Sequence, residues 1–531
     1  MTPPTIDAMD TARTDPALLP RRRETLSEAF RRWLNRPVVA ILAVAIIAAG
    51  IRFVHLSYPQ TRIFDEIYYS KSGCIFLGYS NQRCDVTTQD EKEWRAQEDD
   101  VGDWVHPPLG KWVIALGELA FGTESFGWRV SSAVAGALSV VALALIVQAL
   151  FNSPLWSFVG GLLLATENLN VVQSRASMLD IFVALWIVLA FLFVLLDRRW
   201  VERRTPDPDD GETTRPPAES SSPTATDVPL ATEDDESAAT TTTAIATVPS
   251  PFFRPWRVAA GIALGAAVAS KWSGVTAIVG VVAVSLLWEV GRRRRAGMTT
   301  GRAVWKSLQW EAFPIVVWLL VVPVVVYVAS YLGWFIHFGW DVDRWFELQQ
   351  RMASYHHHLQ WKDPTTHKPI HPYLSHAWEW ILLWRPVLYF ARYGENVRRV
   401  IYANGNPAIF WGGILAIAWA VYVWIRRREW RAGYVVVAIA SLYAPWFLVP
   451  RPQFFFYATP ISPFLVLADV FLIRDLSEMH VAGSRSRPYL PVSIAFVVIS
   501  VGLFVWFWPM LTGGPLSDSA WQLRAWFPGW V

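Results

Sequence analysis

The chain has 531 residues, of which 53% are hydrophobic and only 17% are charged. Soluble domains are about 45–50% apolar and about 25% charged, so this composition excludes an ordinary soluble domain and indicates an integral membrane protein. The 31 tryptophans suit aromatic belts at the headgroup level of a bilayer. The formal net charge of +3 is too small to indicate a nucleic-acid-binding protein.

The N-terminal segment is not expected to be a cleavable signal. Residues 1–36 are polar and end in a basic stretch, and a long apolar run begins at Pro37. A signal peptide would have a shorter apolar region followed by a small-residue cleavage site, and no clear site of that quality follows here. The sequence therefore predicts a cytoplasmic tail and then a first transmembrane helix.

Apolar segments recur along the rest of the chain. A spanning helix needs roughly 20 mostly apolar residues, and we predict about eleven such spans. They cover residues 37–56, 128–150, 155–169, 178–197, 256–271, 274–290, 312–333, 406–425, 432–449, 454–473 and 489–509. The apolar segment 109–122 is short and predicts an interfacial or re-entrant helix. The predicted fold class is an all-α polytopic membrane bundle with two sizeable outer loops that carry amphipathic helices.

Lys and Arg orient these spans, because cytoplasmic loops carry an excess of both. With the N-terminus inside, all the inner flanks are basic, and the short outer turns carry one basic residue each. Thr, Pro, Ser, Asp and Glu dominate residues 205–250, which predicts disorder. The predicted parts are the tail 1–36, a membrane region 37–197 with the outer catalytic loop 57–127, the cytoplasmic linker 198–255, a membrane region 256–333, the outer loop 334–405, a membrane region 406–509 and the outer tail 510–531.

The only two cysteines of the sequence, Cys74 and Cys84, lie in the first predicted outer loop. The outer compartment is expected to be oxidising and therefore to permit disulfides. The sequence leaves two alternatives open, a Cys74–Cys84 disulfide or two free thiols.

Ionisable residues at the ends of the predicted spans are the most informative feature. Such groups are costly in a membrane and are usually functional. Cations in a cavity at lipid level suit a phosphate or pyrophosphate headgroup, and a neighbouring acidic pair suits a general base. Together they predict sugar transfer from a lipid-linked donor to an acceptor outside. All fall on the predicted outer side, and they are Asp65, Glu66, His106, Lys111, Arg129, Glu167, Arg175, Asp180, Lys271 and Arg451.

Each of these residues also has a purely structural interpretation. The acidic pair 65–66 is alternatively a solvated loop dipeptide. Arg129 and Lys271 alternatively extend to lipid headgroups, as long basic side chains do. Arg175 and Asp180 alternatively pair with each other, as intramembrane charges often do.

Six histidines in the middle of the second outer loop suggest a metal site. Their spacing does not match a ligand pattern, and no carboxylate is periodic with them, so we predict no metal ligands and no cofactor. They are His356, His357, His358, His367, His371 and His376.

Seven segments carry a family resemblance. They are IFDEIYYSK (63–71), DWVHPPLGKW (103–112), GWRVSSAVAGAL (127–138), ENLNVVQSRASMLDIF (167–182), ASKWSGV (269–275), HPYLSHAWEWILLWRPVLYF (371–390) and PRPQFFFYATPISPF (450–464). In this order they resemble the protein O-mannosyltransferases of actinobacteria, which belong to the C superfamily of membrane glycosyltransferases (GT-C). HPPLGK alone is moderately specific, whereas the ordered set is highly specific and covers nearly the whole membrane part.

The resemblance implies a role for each matching residue. Asp65 would take the proton from an acceptor Ser or Thr hydroxyl, with Glu66 assisting or orienting it. Arg129 would contact the donor phosphate. Arg175, Lys271 and Arg451 match further basic positions of the family and are implied phosphate contacts. His106, Lys111 and Asp180 are other site candidates because of their position on the predicted outer side.

The resemblance also implies the substrates. The donor would be a polyprenyl-phosphate mannose, the acceptors would be secreted proteins, and one inverting displacement would form an α-linked mannose. No metal or other cofactor is implied. Membrane lipids are expected partners, the Sec secretion machinery is a further candidate partner, and the expected location is the plasma membrane.

One departure and two alternatives stay open. Eukaryotic relatives carry a large β-trefoil insert between spans seven and eight, and loop 334–405 has no room for it, so such an insert cannot contribute to acceptor selection. One alternative is a related GT-C enzyme that moves another sugar or uses a glycan or lipid acceptor. The other is a transporter of a lipid-linked substrate, although transporters favour mid-membrane charges and internal repeats.

Overall fold

The computed structural model describes residues 36–94, 102–205, 250–480 and 486–530. Nearly all of the predicted N-terminal tail and of the predicted disordered segment 205–250 lie outside the described residues. Within the described ranges the chain is mainly helical, as predicted, and carries one small antiparallel sheet.

The helices before the undescribed linker are α1 (Pro37–Phe53), α2 (Glu66–Phe76), α3 (Thr88–Trp94), α4 (Leu109–Phe121), α5 (Ser125–Phe151), α6 (Pro154–Ala165), α7 (Asn168–Ser174) and α8 (Leu179–Glu202). Those after it are α9 (Pro255–Ser270), α10 (Val275–Arg295), α11 (Thr300–Val316), α12 (Val322–Ser330), α13 (Leu332–Phe338), α14 (Val342–His358), α15 (Ala377–Leu382), α16 (Pro407–Arg427), α17 (Trp430–Tyr443), α18 (Ser462–Glu478), α19 (Leu490–Thr512) and α20 (Asp518–Gln522). Short 3-10 turns cover Trp272–Gly274, Ala444–Phe447, Phe455–Ala458 and Pro528–Trp530, and a π-helical turn at Val317–Val321 joins α11 to α12.

Each predicted span overlaps a helix, but the count of eleven crossings is not confirmed. In the part of the chain that the structure describes, six helical stretches are long and apolar enough to cross a membrane, or seven if the bent pair α6–α7 is one span. The other predicted spans overlap apolar helices of only 14 to 17 residues each, which are shorter than the roughly 20 residues of a full crossing. These helices are α1, α9, α17 and α18. The segment expected to be interfacial or re-entrant is the helix α4.

Two glycines let α9 pack tightly against the α11–α12 segment. Gly261 and Gly265 are four residues apart and therefore lie on one face of α9. A Cβ atom on Gly261 would lie 1.9 Å from the carbonyl oxygen of Trp318, and one on Gly265 would lie 2.9 Å from that of Pro323. Small residues at this spacing allow helix backbones to approach closely in membranes. The other side of α9 packs along α8, most of whose side chains are buried.

The sheet lies in and beyond the second outer loop and was not predicted. β1 (Val387–Gly394) and β2 (Val397–Ala403) form an antiparallel pair, and β3 (Pro515–Leu516) pairs with the outer edge of β2. Tyr389 of β1 stacks on Phe64, with 4.6 Å between ring centroids and 8° between ring planes. The sheet therefore supports the residue immediately before Asp65.

The two cysteines form a disulfide in the structure. Cys74 lies near the end of α2, Cys84 lies in the turn that follows, and both are fully buried. The disulfide ties the end of α2 to the rest of the loop, and the alternative of two free thiols is wrong.

Candidate active site

Asp65 lies at the N-terminal end of α2 and is half-buried. Tyr69, one helical turn later, donates its hydroxyl to Oδ2 of Asp65 at 3.4 Å. Burial raises the pKa of the Asp65 carboxyl to about 7; the charge of Lys271 opposes this shift, and that of Asp180 adds to it. A carboxyl with this pKa exchanges a proton readily near neutral pH.

Glu66, the next residue, is fully occupied by structural contacts. Arg129 of α5 donates to both carboxylate oxygens, at 2.7 and 2.8 Å, in a bidentate pair that is wholly buried. The backbone amides of Ile63 and Ser177 donate to the same carboxylate, each at 2.9 Å. Removal of one partner from such a pair leaves an uncompensated buried charge, so this contact holds α2 in place firmly.

Arg129 also holds the loop between α1 and α2. Its guanidinium donates to the carbonyl oxygens of Leu56, Pro59 and Thr61 at 3.3, 2.7 and 3.0 Å. Because the side chain is fully buried, the alternative in which it extends to lipid headgroups is wrong. Its predicted contact with the donor phosphate stays a prediction, and the observed contacts favour a positioning role.

Lys271 lies at the break between α9 and α10, where the backbone is extended before the turn Trp272–Gly274. Its ammonium group donates to both carboxylate oxygens of Asp180 at 2.9 Å. It also lies 4.6 Å from the ring centre of Tyr457. The alternative pairing of Asp180 with Arg175 is therefore wrong, since Asp180 pairs with Lys271.

Arg451 is oriented by a histidine. Its guanidinium lies 2.6 Å from Nδ1 of His356, and Nε2 of the same ring lies 3.0 Å from the carbonyl oxygen of Val105. A carbonyl only accepts hydrogen bonds, so Nε2 carries the proton and Nδ1 accepts from Arg451. Burial and the charge of Arg451 lower the pKa of His356 to about 4, so the ring is neutral at pH 7. Arg451 also donates to the hydroxyl of Tyr457 at 3.2 Å.

Two cavities meet at His106. The first, of about 200 Å³, is lined by the cations Lys271 and Arg451 together with His106, His356, Trp272 and Trp446. The His106 and His356 rings stack with 5.4 Å between centroids. Burial and the charge of Lys271 lower the pKa of His106 well below its usual value, so this ring is also neutral. We call this space the cationic cavity.

The second space, which we call the aromatic cavity, has a volume of about 240 Å³. It contains one buried ion pair, in which Nζ of Lys111 contacts a side-chain oxygen of Asp103 at 3.4 Å and also its carbonyl oxygen. Lys111 is therefore paired with Asp103. The lining also includes Trp104, His106, Trp112, Tyr331 and Trp334.

Two family models match the sequence. The model described as dolichyl-phosphate-mannose-protein mannosyltransferase matches residues 42–205, and the model described as the C-terminal four-TMM region of protein-O-mannosyltransferase matches residues 342–530. Together they match about two thirds of the chain. The chain belongs to the protein O-mannosyltransferase family.

A relative that matches nearly the whole chain agrees with this assignment, whereas a shorter match is named for the transfer of another sugar. The polyprenol-phosphate-mannose–protein mannosyltransferase of Mycobacterium tuberculosis is 29% identical over 530 residues, which cover 95% of this chain and 92% of the relative. An undecaprenyl phosphate-alpha-4-amino-4-deoxy-L-arabinose arabinosyl transferase of Pseudomonas fluorescens is 36% identical over 116 residues, only 19% of this chain and 20% of the relative. The protein O-mannosyltransferase Pmt1–Pmt2 complex of S. cerevisiae, solved with the sugar donor bound, has a TM-score of 0.66 at 15% identity and covers 93% of this chain and 92% of that chain. The predicted GT-C-type helical bundle is confirmed.

In this O-mannosyltransferase family member, Arg175 lies apart from the cationic cavity. Its guanidinium donates to the carbonyl oxygens of Ile51, Arg52, Val54 and His55, at distances from 2.7 to 3.2 Å. These carbonyls belong to the last residues of α1 and the turn after it, where helical hydrogen-bond partners run out. Arg175 therefore caps the C-terminal end of α1, and its predicted phosphate contact stays a prediction.

The histidines of the second outer loop lie in separate places. His371 packs against Phe64 and Phe454, and His376 stacks on Trp361 with 4.3 Å between ring centroids. Among the residues that the structure describes, no group of three or more His, Cys, Asp or Glu residues could hold a metal ion.

His356 is the functional candidate that sequence reasoning missed, because it was grouped with its neighbours in a histidine run. A helical signal was present: Leu348, Met352 and His356 follow one another at intervals of four residues on one face of α14. Leu348 and Met352 are buried, whereas His357 and His358 are exposed. Tyr69 likewise lies four residues after Asp65, so helical spacing also predicts that it lies beside the candidate base.

Proposed function

We propose that this protein transfers mannose from a polyprenyl-phosphate mannose to Ser or Thr hydroxyls of protein acceptors. Membership of the protein O-mannosyltransferase family supports the reaction class. The observation that carries the assignment of the site is the position of Asp65 at the start of α2, where its pKa responds to the charges of Lys271 and Asp180, and Lys271 lines the cationic cavity.

In the proposed reaction Asp65 is the general base. The acceptor oxygen attacks the anomeric carbon of mannose while the hydroxyl proton passes to the Asp65 carboxylate. The bond between the anomeric carbon and the phosphate oxygen breaks, and the phosphate leaves with that electron pair. One displacement inverts the anomeric configuration. The carboxyl of Asp65 suits this role because a base with a pKa near 7 is ionised often enough to accept the proton at neutral pH.

The cationic cavity is proposed to receive the donor phosphate. Charge grows on the leaving phosphate as its bond to mannose breaks, and cations fixed in place stabilise that charge most effectively. Arg451 is oriented by His356, and Lys271 by Asp180. The neutral imidazoles of His106 and His356 add polar groups without adding charge that would compete with the phosphate.

The aromatic cavity is proposed to receive the acceptor segment. Its Trp and Tyr side chains offer flat apolar surfaces with a polar edge, which suit extended peptides rich in Thr and Pro. His106 borders both cavities, and its ring centroid lies 6.0 Å from that of Tyr69, which donates to Asp65; we therefore place the acceptor hydroxyl beside His106.

A transfer assay tests this function. Membranes that contain the protein are incubated with labelled polyprenyl-phosphate mannose and a Thr/Pro-rich peptide, and we expect label on the peptide. Parallel reactions with other polyprenyl-linked sugars, and with glycan or lipid acceptors, test the alternative of a related GT-C enzyme, which the partial likeness to an arabinosyl transferase favours. Label that crosses sealed vesicles without covalent transfer would instead indicate a lipid-linked substrate transporter.

We further propose that the reaction takes place at the outer face of the plasma membrane, on chains delivered by the Sec secretion machinery. The basic flanks of the predicted spans support this orientation, because they place the end of the bundle that carries Asp65 outside. Labelling of a secreted acceptor that depends on its signal peptide would support this part of the proposal.

A further inference from the structure

A second cation-rich cavity lies at the opposite end of the bundle from Asp65. Asp180 and Asp197 lie near the two ends of α8, and their separation along the helix is roughly 25 Å. Asp180 faces the active site, whereas Asp197 belongs to a buried ionic network at the other end. The cavity beside this network has a volume of about 280 Å³. Its charged lining residues are Arg254, Arg292, Arg293, Lys306 and Glu311.

Three carboxylates hold the network together. Arg254, at the start of α9, contacts Asp197, Glu289 and Glu311 at 3.3, 3.1 and 3.4 Å. Arg257, one turn later, donates to Glu311 at 2.7 Å. The network therefore joins α8, α9, α10 and α11 at one end of the bundle.

The basic end of α10 shares one of these carboxylates. Arg292 and Arg293 both donate to Oε2 of Glu289, at 2.8 and 2.9 Å, and Arg293 also donates to the hydroxyl of Ser307. Lys306, on α11, donates to the side chain of Gln309 at 3.0 Å and lines the cavity.

The charges around this cavity do not balance. Five cationic side chains meet three carboxylates, so two positive charges are in excess, and Lys306 and Arg292 at the border of the cavity are partly exposed. A bound anion would offset that excess through its attraction to the nearby cations. The cations are Arg254, Arg257, Arg292, Arg293 and Lys306, and the acids are Asp197, Glu289 and Glu311.

The surroundings indicate that the anion carries acyl chains. Trp310 lines the cavity and is 57% exposed. Trp305 and Phe313, on the same helix, are each 68% exposed. Exposed aromatic side chains beside arginines are typical of the membrane interface, and basic pockets between membrane helices bind anionic headgroups.

We propose that this cavity binds the phosphate group of an anionic phospholipid. Lys306 and Arg292, at its border, contact the phosphate, and the acyl chains lie along the exposed face of α11. The site is separate from the cationic cavity, and it does not depend on the proposed mannosyl transfer.

The test measures lipid binding to the purified full-length protein by native mass spectrometry in detergent, with phosphatidylglycerol, phosphatidylcholine and inorganic phosphate as probes. We expect phosphatidylglycerol to bind at least about tenfold more tightly than phosphatidylcholine. The variant Lys306→Glu should weaken phosphatidylglycerol binding by about tenfold or more. The matched control Arg302→Glu makes the same charge change on an exposed residue of the same helix that does not line the cavity, and should bind as the wild type does.

The outcomes are distinct. Equal binding by the Lys306 and Arg302 variants, or equal binding of the two phospholipids to the wild type, would overturn the proposal. Inorganic phosphate that binds as tightly as phosphatidylglycerol would overturn the assignment to a lipid. The milder variant Lys306→Gln, which should weaken binding in the same direction, replaces Lys306→Glu if the latter does not fold. An unchanged midpoint of thermal unfolding in detergent reports that a variant is folded.

Discussion

A single carboxyl with unusual surroundings lies at the centre of the proposed chemistry. Asp65 follows Phe64, which is packed against Tyr389, and precedes Glu66, which is fixed by Arg129. Both neighbours are thus immobilised while the Asp65 side chain stays partly exposed. The two neighbours hold Asp65 in place, and its own carboxylate oxygens make no structural bond to Arg129.

Replacement of this carboxyl tests its role directly. Asp65→Asn keeps the shape of the side chain but removes its ability to accept a proton, so we expect transfer to fall by roughly 10²- to 10⁴-fold. The readout is labelled mannose on a peptide, normalised to the amount of protein in the membrane. Asp85→Asn, in the same loop but on an exposed side chain paired with Arg62, is the matched control and should keep near-normal activity. Wild-type transfer by Asp65→Asn would refute the assignment of the base.

The raised pKa of Asp65 predicts the pH dependence. Below pH 7 the carboxyl is mostly protonated and cannot act as a base, so the rate should rise with pH and reach half its maximum near pH 7. On the acid side the rate should fall about tenfold per pH unit. Asp180→Asn removes a negative charge that raises this pKa, so its midpoint should lie at lower pH. A rate that stays constant between about pH 5 and about pH 8 contradicts a base with this pKa.

At the scale of elements, two arginines from distant helices hold the α1–α2 connection. Arg175 binds the carbonyl oxygens at the end of α1, and Arg129 binds those of the following loop and then Glu66 on α2. A loop of this kind has backbone groups that need partners when water is excluded. The two guanidiniums supply those partners, and the position of Asp65 depends on them.

Truncation of Arg129 separates the two roles considered for it. In the positioning role, Arg129→Ala leaves Glu66 charged and unpaired, so the free energy of unfolding should fall by about 3–5 kcal/mol. Thermal unfolding in detergent measures this loss, and transfer should fall through kcat rather than through KM for the donor. Arg426→Ala, at an exposed position near the end of α16, is the control for loss of an arginine. A raised donor KM with unchanged unfolding would instead support the predicted phosphate contact.

At the scale of the whole molecule, the long apolar helices were predictable because hydropathy depends on local sequence alone. The sheet was not, since β1 and β2 lie in a charged loop, and β3, which completes the sheet, lies more than 100 residues later. The break between α9 and α10 was predicted only as a turn, and the bend between α6 and α7 lies inside the predicted span 155–169 and was not predicted. Each of them places a polar residue at the end of a helix, Glu167 in the first case and Lys271 in the second.

The site was predictable as a set of residues but not as a set of partners. Asp65, Asp180, Lys271 and Arg451 were all identified, yet Lys271 pairs with Asp180 across 91 residues, and no spacing rule indicates that contact. The cations at the opposite end were used only to orient the spans, because a sequence shows charges without their pairing. Identification of His356 required knowledge of which face of α14 is buried, and the run of three histidines obscures that pattern.

The orientation of the whole chain is testable with a fusion. We predict that residue 530 lies outside the cytoplasm, because the basic flanks place the N-terminal side inside. A reporter that is active only in the periplasm or outside the cell, joined through a flexible linker after residue 531, should be active. Activity of a reporter that works only in the cytoplasm, at the same position, would reverse the predicted topology, and a fusion at the N-terminus is the control with the opposite expectation.

The sheet beside Phe64 is assembled from segments that the ribosome makes far apart in time. β1 and β2 emerge together, whereas β3 emerges only after α16, α17, α18 and α19 have been synthesised. The buried Trp530 then donates its indole N–H to the carbonyl oxygen of Leu383, just ahead of β1. Asp65 is therefore synthesised long before the sheet that packs against Phe64 is complete. We expect nascent chains that end before residue 515 to be inactive, so that mannosyl transfer begins only after β3 has been synthesised.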